Sequence, residues 1–426
     1  MKSWSAPVIP ALPATGPVPR IYDSASRSLK PAEASAVLDD QHVASLYVCG
    51  ITPYDATHLG HAATYLAFDT LVRLWLDAGY EVRYAQNVTD VDDPLLERAA
   101  ATGVDWRELA TSQIDLFRSD MQQLSIVPPQ HYLGVTEVIP QIANAVQTLA
   151  DAGMAYPVDS VNAAPDLYFY NAAASDASPW HLGEESNLDR ETMLRLSAER
   201  GGDPERPGKH DALDPLLWRA ERMGEPAWDS VVGRGRPGWH IECAVIALEF
   251  LPTPLTVNGG GSDLLFPHHE FSAAHAAALS GHPLADSYLH TGMVGYQGEK
   301  MSKSLGNLVL VSQLTARGVD PRAIRLALLA EHYRSDWEWT DAKLAHAEER
   351  LERWEAWSTS AVASDDPTLL SILRETLAND LDTPGALGAI DDHIAGGVAP
   401  TITDLAAIEA LLGIALPHAQ PTRNAR

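Results

Sequence analysis

The amino-acid sequence predicts an α/β protein with a parallel sheet, an inserted helical or connective region and a helical bundle at its C-terminal end. Three observations predict this fold class. Strand-like and helix-like patterns alternate from residue 45 to residue 88, strand-like runs return at 253–261 and 288–295, and from residue 341 onwards the pattern is helical only. Alternation of strands with helices is typical of a parallel sheet covered by helices.

The first regular unit is a strand, a helix and a second strand. SLYVCGI, at 45–51, is a short apolar run rich in residues that favour strands. The segment 58–79 places Leu71 and Trp75 at helical spacing and ends at a glycine. EVRYAQNV, at 81–88, repeats the strand pattern. Strand, helix and strand in close succession predict a right-handed βαβ unit on a parallel sheet.

The remaining patterns divide the chain into regions. Residues 1–44, which prolines and serines interrupt, are expected to form a loose N-terminal arm. A main domain is predicted over 45–335, with the inserted region at about 115–225, and a helical bundle with its tail over 336–426. From about 92 to 200 the pattern is mostly helical, with turns marked by proline. The last ten residues, PHAQPTRNAR, are expected to be disordered.

The charge balance argues against a large nucleic-acid interface. The chain of 426 residues has 30 Lys and Arg against 57 Asp and Glu, a net charge of −27, whereas nucleic-acid binders carry a basic footprint. Solubility alone would also account for this acidity. The sequence contains no apolar run long enough for a membrane span and no export signal, and two cysteines suit a reducing compartment. We therefore expect a cytoplasmic protein.

Cys49, Cys243 and the pair His268 and His269 are candidates for a metal site. The two cysteines lie far apart in the chain, so no local finger motif joins them, and they would equally suit two buried apolar thiols. Two cysteines and one histidine also match a zinc site with three protein ligands and one open position, which is typical of catalytic zinc. Ser272, one turn after His268, is not a ligand type, and this fits an open site.

Two further motifs suit the binding of a nucleoside triphosphate. In THLGH, His58 and His61 flank Gly60 where a strand leads into a helix, and a helix N-terminus presents free N–H groups to phosphate. In KMSKS, Lys300 and Lys303 offer positive charge to a departing pyrophosphate. An ordinary helix start and a solvated basic loop are the alternatives for each motif taken alone. Both motifs together in one chain are highly specific.

The pair resembles the signature of the class I aminoacyl-tRNA synthetases. CGITPYDATHLGH, NVTDVDD, GRGRPGWHIEC, GGGSDLLFPHHE and GEKMSKSLGN resemble cysteinyl-tRNA synthetase over roughly residues 45 to 335. The resemblance implies a Rossmann-like nucleotide-binding domain, ATP with Mg²⁺, a cysteinyl-adenylate intermediate and one Zn²⁺ per chain. In that family the zinc ligands correspond to Cys49, Cys243 and His268, with a glutamate at the position of Ser272.

Several features resemble instead a related family of ligases, which joins cysteine to the amine of glucosaminyl-inositol in mycothiol biosynthesis. These are the start SWSAP, the segment ERGGDP at 199–204, HHEFSAAHA without the glutamate, and the short C-terminal region. That region, from Asp341, has 14 acidic and 6 basic residues, a composition that suits anticodon binding poorly. The resemblance implies an AMP-forming, ATP-dependent ligase, and a compact cysteinyl-tRNA synthetase is the alternative. A synthetase-like module that has lost catalysis is a third reading, against which the intact motifs argue.

The resemblance also implies site residues. Asp263 is a candidate to hold the cysteine ammonium or to accept the proton of the attacking amine, although an aspartate that caps a turn is an equal alternative. We expect a monomer whose partners are L-cysteine, ATP and glucosaminyl-inositol, with no nucleic acid and no membrane. The contacts implied for the adenylate are Cys49, Gly50, Ile51, Thr52, Thr64, Asn87, Val88, Thr89, Trp239, Gly261, Ser262, Asp263 and Val294.

Overall fold

A computed structural model describes residues 1–54, 57–301, 306–360 and 368–417. The strands are β1 Arg20–Asp23, β2 Ser28–Pro31, β3 Ala36–Leu38, β4 Gln41–Val48, β5 Glu81–Val88, β6 His131–Gly134, β7 Ala155–Ser160, β8 Ala163–Phe169, β9 Leu216–Ala220, β10 Gly235–Pro237, β11 Val257–Gly261, β12 Tyr288–Thr291, β13 Val294–Tyr296, β14 Glu299–Lys300 and β15 Trp337–Trp339.

The α-helices are α1 Leu59–Asp77, α2 Asp93–Thr102, α3 Trp106–Gln123, α4 Ile139–Asp151, α5 Asn171–Ala177, α6 Arg190–Glu199, α7 Trp239–Phe250, α8 Glu270–Ser280, α9 Val311–Ala316, α10 Pro321–Leu329, α11 Asp341–Ser358, α12 Thr368–Ala378, α13 Thr383–Ala395 and α14 Ile402–Leu412. Short helical turns lie at Val135–Glu137 and Ser262–Leu264, and a wider π-turn spans Leu265–His269. No helix of the described residues is long and apolar enough to cross a membrane.

A central sheet organises the molecule. Its strands run in the order β12, β11, β4, β5, β6, and all of these neighbours are parallel. β3 adds to β4 in antiparallel fashion. The predicted strands at 45–51, 81–88 and 253–261 are confirmed, as is the start of the predicted strand at 288–295. Because the strands are parallel, their carboxyl ends meet at one edge, where Cys49, Gly261 and Thr291 lie.

Helix α1 follows the sequence prediction closely. It starts after His58, and Gly79, just beyond its end, has a φ of +83°. Phe68, Leu71 and Trp75 are fully buried. These apolar side chains cover the parallel sheet, and their burial fixes the helix start beside the sheet edge that carries Cys49.

The expectation that residues 1–44 form a loose arm is wrong. β1 and β2 form a hairpin, and β3 joins the central sheet. Trp4 is buried, donates from Nε1 to the carbonyl of Ile126 at 2.7 Å, and meets Phe117 and Tyr132 edge to face. A buried indole with its N–H paired holds the proline-rich segment against the domain, an effect that composition alone did not indicate.

The expectation of a mostly helical segment between about 92 and 200 is wrong in part. Helices α2 to α6 lie there, but β7 and β8 form an antiparallel hairpin that continues with β9 and β10 into a four-stranded sheet. Asn162, at the hairpin turn, has a φ of +59°, which asparagine tolerates. Prolines within both strands interrupt the alternating pattern that predicts a strand, so the sequence did not indicate β7 and β8.

Helices α11 to α14 lie at the C-terminal end, as the helical pattern from residue 341 predicted. α14 contacts α1, so these helices pack directly on the main domain. Trp337–Trp339 forms β15, which pairs with β13 of the main domain. The domain boundaries themselves stay a prediction, and the expected disorder of the tail falls on residues 418–426, outside the described part of the chain.

Candidate active site

A cavity of about 410 Å³ opens at the carboxyl edge of the central sheet. Strand ends, the start of α1 and the turn after β11 supply its walls. Most of the residues predicted to contact an adenylate line it, whereas Asn87, Val88, Thr89 and Ser262 do not. The predicted residues in its lining are Cys49, Gly50, Ile51, Thr52, His58, His61, Thr64, Trp239, Gly261, Asp263 and Val294.

Cys49, Cys243 and His268 converge behind one wall of this cavity. Cys49 follows β4, Cys243 lies in α7, and His268 lies in the π-turn. The two Sγ atoms are 3.9 Å apart, and His268 Nε2 lies 3.2 Å from Cys243 Sγ. All three donor atoms fall within 4.8 Å of one another, and all three residues are buried. Two soft sulfur donors and an imidazole form a donor set that fits zinc.

The two thiols differ in their electrostatics. Burial raises the pKa of Cys49 well above its ordinary value. Burial acts to raise the pKa of Cys243 too, but the hydrogen bond with Cys49 and the charge of His268 outweigh it, and that pKa falls well below its ordinary value. These neighbours favour the thiolate of Cys243, the form in which cysteine binds a metal.

Ser272 does not point toward these donor atoms as a fourth ligand. Its hydroxyl donates to the backbone carbonyl of His268 at 2.7 Å and to that of His240 at 3.2 Å. The serine thus steadies the turn that carries His268. Trp239 stacks on the His268 ring, with centroids 4.3 Å apart, and separates that ring from the cavity it lines.

His269 belongs to a different set of contacts. Its Nε2 lies 3.3 Å from Cys49 Sγ and its Nδ1 lies 2.8 Å from His290 Nε2. His290 in turn reaches the hydroxyl of Ser24 at 2.8 Å. Such outer contacts orient a metal ligand. The sequence analysis did not indicate His290 or Ser24, because both come from segments that carry no recognisable motif.

His58 and His61 stack at the start of α1, with ring centroids 3.8 Å apart. His58 Nδ1 accepts from the backbone N–H of Gly60 at 3.1 Å, and a Cβ on Gly60 would approach the His58 ring to 2.9 Å. The glycine therefore lets the imidazole fold back over the helix N-terminus. Both histidines line the cavity at the start of α1, where the positive end of the helix dipole favours phosphate.

The segment that follows the KMSKS motif is paired with the start of α1. Leu59 N–H donates to the carbonyl of Val309 at 2.9 Å, and Val311 N–H donates to that of Thr57 at 3.2 Å. These bonds form a short antiparallel bridge between His58 and Leu310. The start of α1 is therefore joined through the backbone to the segment that follows the second motif. Of the predicted lysines, Lys300 lies in β14, and Lys303 lies outside the described residues.

Asn87 supports the cavity from behind. Its Oδ1 accepts from Gly50 N–H at 2.8 Å and from the Tyr47 hydroxyl at 3.1 Å, and its Nδ2 donates to Thr89 Oγ1 at 3.2 Å. A Cβ on Gly50 would lie 1.6 Å from the backbone oxygen of Asn87. The chain after β4 thus passes so close to β5 that only glycine fits. The predicted role of Asn87, Val88 and Thr89 at the adenylate stays a prediction.

Comparison with known proteins is consistent with this geometry. The model of the tRNA synthetases class I (C) catalytic domain matches residues 35–349. The chain is 63% identical over 425 residues to the L-cysteine:1D-myo-inositol 2-amino-2-deoxy-alpha-D-glucopyranoside ligase of Clavibacter michiganensis subsp. michiganensis, covering 98% of this chain and 99% of the relative. It is 55% identical to the ligase of the same name from Kineococcus radiotolerans, covering 98% and 100%.

The chain belongs to this ligase family. It is an ATP-dependent ligase with the fold of a class I synthetase. Solved structures agree on the fold: methionyl-tRNA synthetase of Mycobacterium tuberculosis with methionyl-adenylate has a TM-score of 0.60 at 16% identity, covering 87% of this chain and 88% of that one. A LeuRS–tRNA complex from Agrobacterium radiobacter K84 has a TM-score of 0.59 at 13% identity, covering 88% and 83%.

The turn after β11 brings Asp263 to the cavity of the ligase. Gly261 lines the cavity beside it, and a Cβ there would approach Asp263 Oδ1 to 2.7 Å. Arg200 holds the turn from behind, because its Nη1 donates to the backbone carbonyls of Asp263 and Phe266. The sequence analysis singled out the segment ERGGDP at 199–204 but not this contact, which joins residues far apart in the chain.

Proposed function

We propose that this ligase condenses L-cysteine with the amine of 1D-myo-inositol 2-amino-2-deoxy-α-D-glucopyranoside. The reaction consumes ATP and yields the amide, AMP and pyrophosphate through a cysteinyl-adenylate. The observation that carries the proposal is the near-complete coverage, at 63% identity, of a relative whose name states this pair of substrates. The cavity supports the proposal, because two features meet there. One is the start of α1, where phosphate would bind, and the other is the set of donor atoms that would select a thiol.

In the first step an oxygen of the cysteine carboxylate attacks the α-phosphorus of ATP, and pyrophosphate leaves. His58 and His61 would hold phosphate oxygens through this displacement, since their rings lie stacked at the helix N-terminus beside the cavity. Lys300 and Lys303 are proposed to take up the charge that develops on the departing pyrophosphate. Mg²⁺ is proposed to accompany the ATP phosphates.

Selection of cysteine is proposed to depend on Cys49, Cys243 and His268. These residues would hold Zn²⁺, which supplies a soft site for the cysteine thiolate that a serine hydroxyl occupies poorly. Ser272 leaves that position open, because its hydroxyl is bonded to backbone carbonyls. A site that demands one specific bond from its substrate can discriminate by about 10⁴-fold or more without an editing step.

In the second step the amine of the sugar attacks the carbonyl carbon of the adenylate. The new C–N bond forms as the bond to AMP breaks, and the amine loses a proton. Asp263 is proposed either to accept this proton or to hold the ammonium of the cysteine moiety, because it lines the cavity. Acceptance of the proton belongs to the second step, whereas holding of the ammonium already affects the first. Exchange between pyrophosphate and ATP needs only the first step, so measuring it distinguishes the two roles.

An acceptor assay tests the proposed function. The ligase is incubated with ATP, Mg²⁺ and cysteine, and either the glucosaminyl-inositol or total tRNA is added while AMP release is measured. We expect AMP to form with the amino sugar and not with tRNA. AMP release with tRNA alone would instead make the chain a compact cysteinyl-tRNA synthetase and would contradict the proposal.

The proposal also covers the cellular compartment, the partners and the oligomeric state of the ligase. Cys49 and Cys243 are free thiols, which suits a reducing cytoplasm. A net charge of −27 disfavours a nucleic-acid partner. We propose a monomer that acts on small molecules alone, which size-exclusion chromatography with light scattering tests directly.

A further inference from the structure

The end of helix α6 directs Arg200 toward the active site. The chain turns sharply after Arg200, where Gly201 has a φ of +85°. A Cβ on Gly202 would lie 2.2 Å from Ser197 Oγ and 2.8 Å from the Ser197 carbonyl, to which Gly202 N–H donates. Both glycines are therefore needed for the chain to fold back over the last turn of α6. Arg200 is the residue at which the helix stops.

The guanidinium of Arg200 bonds to two backbone carbonyls. Its Nη1 donates to the carbonyl oxygens of Asp263 and Phe266, each at 2.5 Å. The two hydrogens of Nη1 can serve one carbonyl each. These carbonyls lie on either side of the bend that leads from β11 into the turn with His268. A charged donor shared between them fixes the path of that bend more strongly than a neutral donor would.

The other side of the same loop is fixed to the antiparallel sheet. Asp203 accepts a short hydrogen bond from the Tyr168 hydroxyl and one from Lys209 Nζ at 3.0 Å. Tyr168 is fully buried in β8. Arg200 thus extends from a segment that the inserted sheet holds in place. Among the described residues that line the cavity there is none from 199–204.

We propose that Arg200 is a positioning residue that sets the orientation of Asp263 toward the cysteine amino group. The inference rests on the proposed function, because it assumes that cysteine occupies the cavity. Arg200 donates to the backbone carbonyls of Asp263 and Phe266 and is not among the cavity-lining residues, so it acts through this bend and not on substrate. Loss of the two bonds frees the bend, and the Asp263 carboxylate then spends less of its time in the orientation that binds an ammonium group.

The test is cysteine-dependent exchange between pyrophosphate and ATP, measured for Arg200→Lys and Arg200→Ala. Lysine keeps the charge but lacks the planar donor group. We expect the KM for cysteine to rise about tenfold or more in Arg200→Ala and less in Arg200→Lys, with the KM for ATP changed less than about twofold. Arg195→Ala is the matched control, because Arg195 lies on the same helix, is 59% exposed and pairs only with Glu199 among the described residues.

A second measurement shows whether the effect passes through Asp263. Cysteine binding is measured by calorimetry for Asp263→Asn with and without Arg200→Lys. We expect the arginine substitution to add nothing once the carboxylate is gone, the result for two residues that act as one unit. Additive effects, equal rises in both KM values, or an unchanged cysteine KM in Arg200→Ala would each overturn the inference. Absence of cysteine-dependent exchange in the unaltered ligase would instead refute the proposed function.

Discussion

At the scale of single residues, the site depends on side chains that differ in charge although their surroundings are similar. Cys49 and Cys243 are both buried and 3.9 Å apart, yet burial raises the pKa of the first thiol, whereas its neighbours lower that of the second. The two thiols therefore differ in how readily they ionise. Binding of a dication would ionise both thiols and release protons.

Replacement of a metal ligand tests the role of Cys243. Loss of an outer contact of a ligand already costs about 10–100-fold in metal affinity, so Cys243→Ala is expected to lose zinc and to reduce cysteine-dependent exchange by more than about 100-fold. Zinc content by atomic absorption and the exchange rate are the measurements. Ser280→Ala, at the far end of α8, is the control and is expected to keep its zinc, since its hydroxyl donates to the carbonyls of Ala276 and His282 and not to a proposed metal ligand. Full activity without zinc would remove the metal from the reaction.

Asp120 gives a prediction about pH. It is fully buried in α3, and burial raises its pKa to about 7 although the nearby Thr57 hydroxyl acts to lower it. The unfolded chain ionises near its ordinary pKa of about 4, so the aspartate destabilises the fold increasingly as pH rises from about 4 to about 7.

Asp120→Asn removes this titration. The free energy of unfolding of the variant minus that of the unaltered ligase is the quantity to compare, with both proteins unfolded in urea. This difference is expected to be larger at pH 8 than at pH 5 by on the order of 3 kcal/mol. Asp115→Asn, on the same helix but 64% exposed, is expected to show a pH-dependent change below about 0.5 kcal/mol. Equal pH dependence of the Asp120 variant and the unaltered ligase would show that this carboxyl group is not perturbed.

At the scale of elements, the site is assembled where strand ends pass close to one another. The backbone after β4 passes over Asn87 so closely that Gly50 has no room for a side chain. This contact places Cys49 and the segment up to Thr52 along the cavity. The same crowding makes a simple prediction possible.

Gly50→Ala forces a shift of the backbone, because the new methyl group would lie 1.6 Å from the Asn87 carbonyl oxygen. We expect a loss of several kcal/mol in the free energy of unfolding, or a displaced Cys49 with reduced zinc content. Gly388→Ala is the control, since a Cβ there meets no atom within 4 Å and the position is inside helix α13. That variant is expected to gain up to about 1 kcal/mol from helix propensity. A Gly50 variant as stable as the unaltered ligase, with its zinc retained, would contradict this reading.

Elements with strong local patterns could be predicted from the sequence, and elements that depend on distant partners could not. β4, α1 and β5 have continuous apolar runs or helical spacing, so the type of each element can be predicted from its own residues. β7 and β8 contain prolines, and the pairing of β8 with β9 joins residues about fifty positions apart. Trp4 is buried only because Phe117 and Tyr132 form its pocket.

The site shows the same division between local and distant information. The resemblance indicated Cys49, Cys243 and His268, and the structure places their donor atoms together. No sequence pattern indicated that Arg200 bonds the carbonyl of Asp263 or that His290 contacts His269, because a contact to a backbone atom or to a partner in another segment has no signature in spacing.

At the scale of the whole molecule, a buried group of charges joins the main domain to the C-terminal helices. Asp69 accepts from Arg73 Nε at 2.8 Å and also from Arg325, and all three side chains are buried. Burial acts to raise the pKa of Asp69, but the two arginines outweigh it and lower that pKa. Arg73 also donates to the carbonyls of Glu409 and Ala410 at the end of α14.

Asp69→Asn tests this connection. The substitution leaves two buried guanidinium groups without their counter-charge, and the expected loss in the free energy of unfolding is about 3–5 kcal/mol. Urea unfolding at neutral pH is the measurement. Glu81→Gln, which breaks an exposed pair with Arg83, is expected to cost less than about 1 kcal/mol. Equal costs for the two variants would mean that the buried group does not stabilise the packing of α14.

The bonds from Arg73 to α14 also impose an order in time on the growing chain. The guanidinium and its last partners are 336 residues apart. At a synthesis rate of about 5–20 residues per second, Arg73 is added to the chain roughly 20–70 s before Glu409. During that interval the first βαβ unit exists with a charged group that its own neighbours do not fully satisfy. The contacts between Arg73 and α14 therefore form only after α14 has been synthesised, and a ribosome that stalls before α14 yields a chain suited to capture by chaperones.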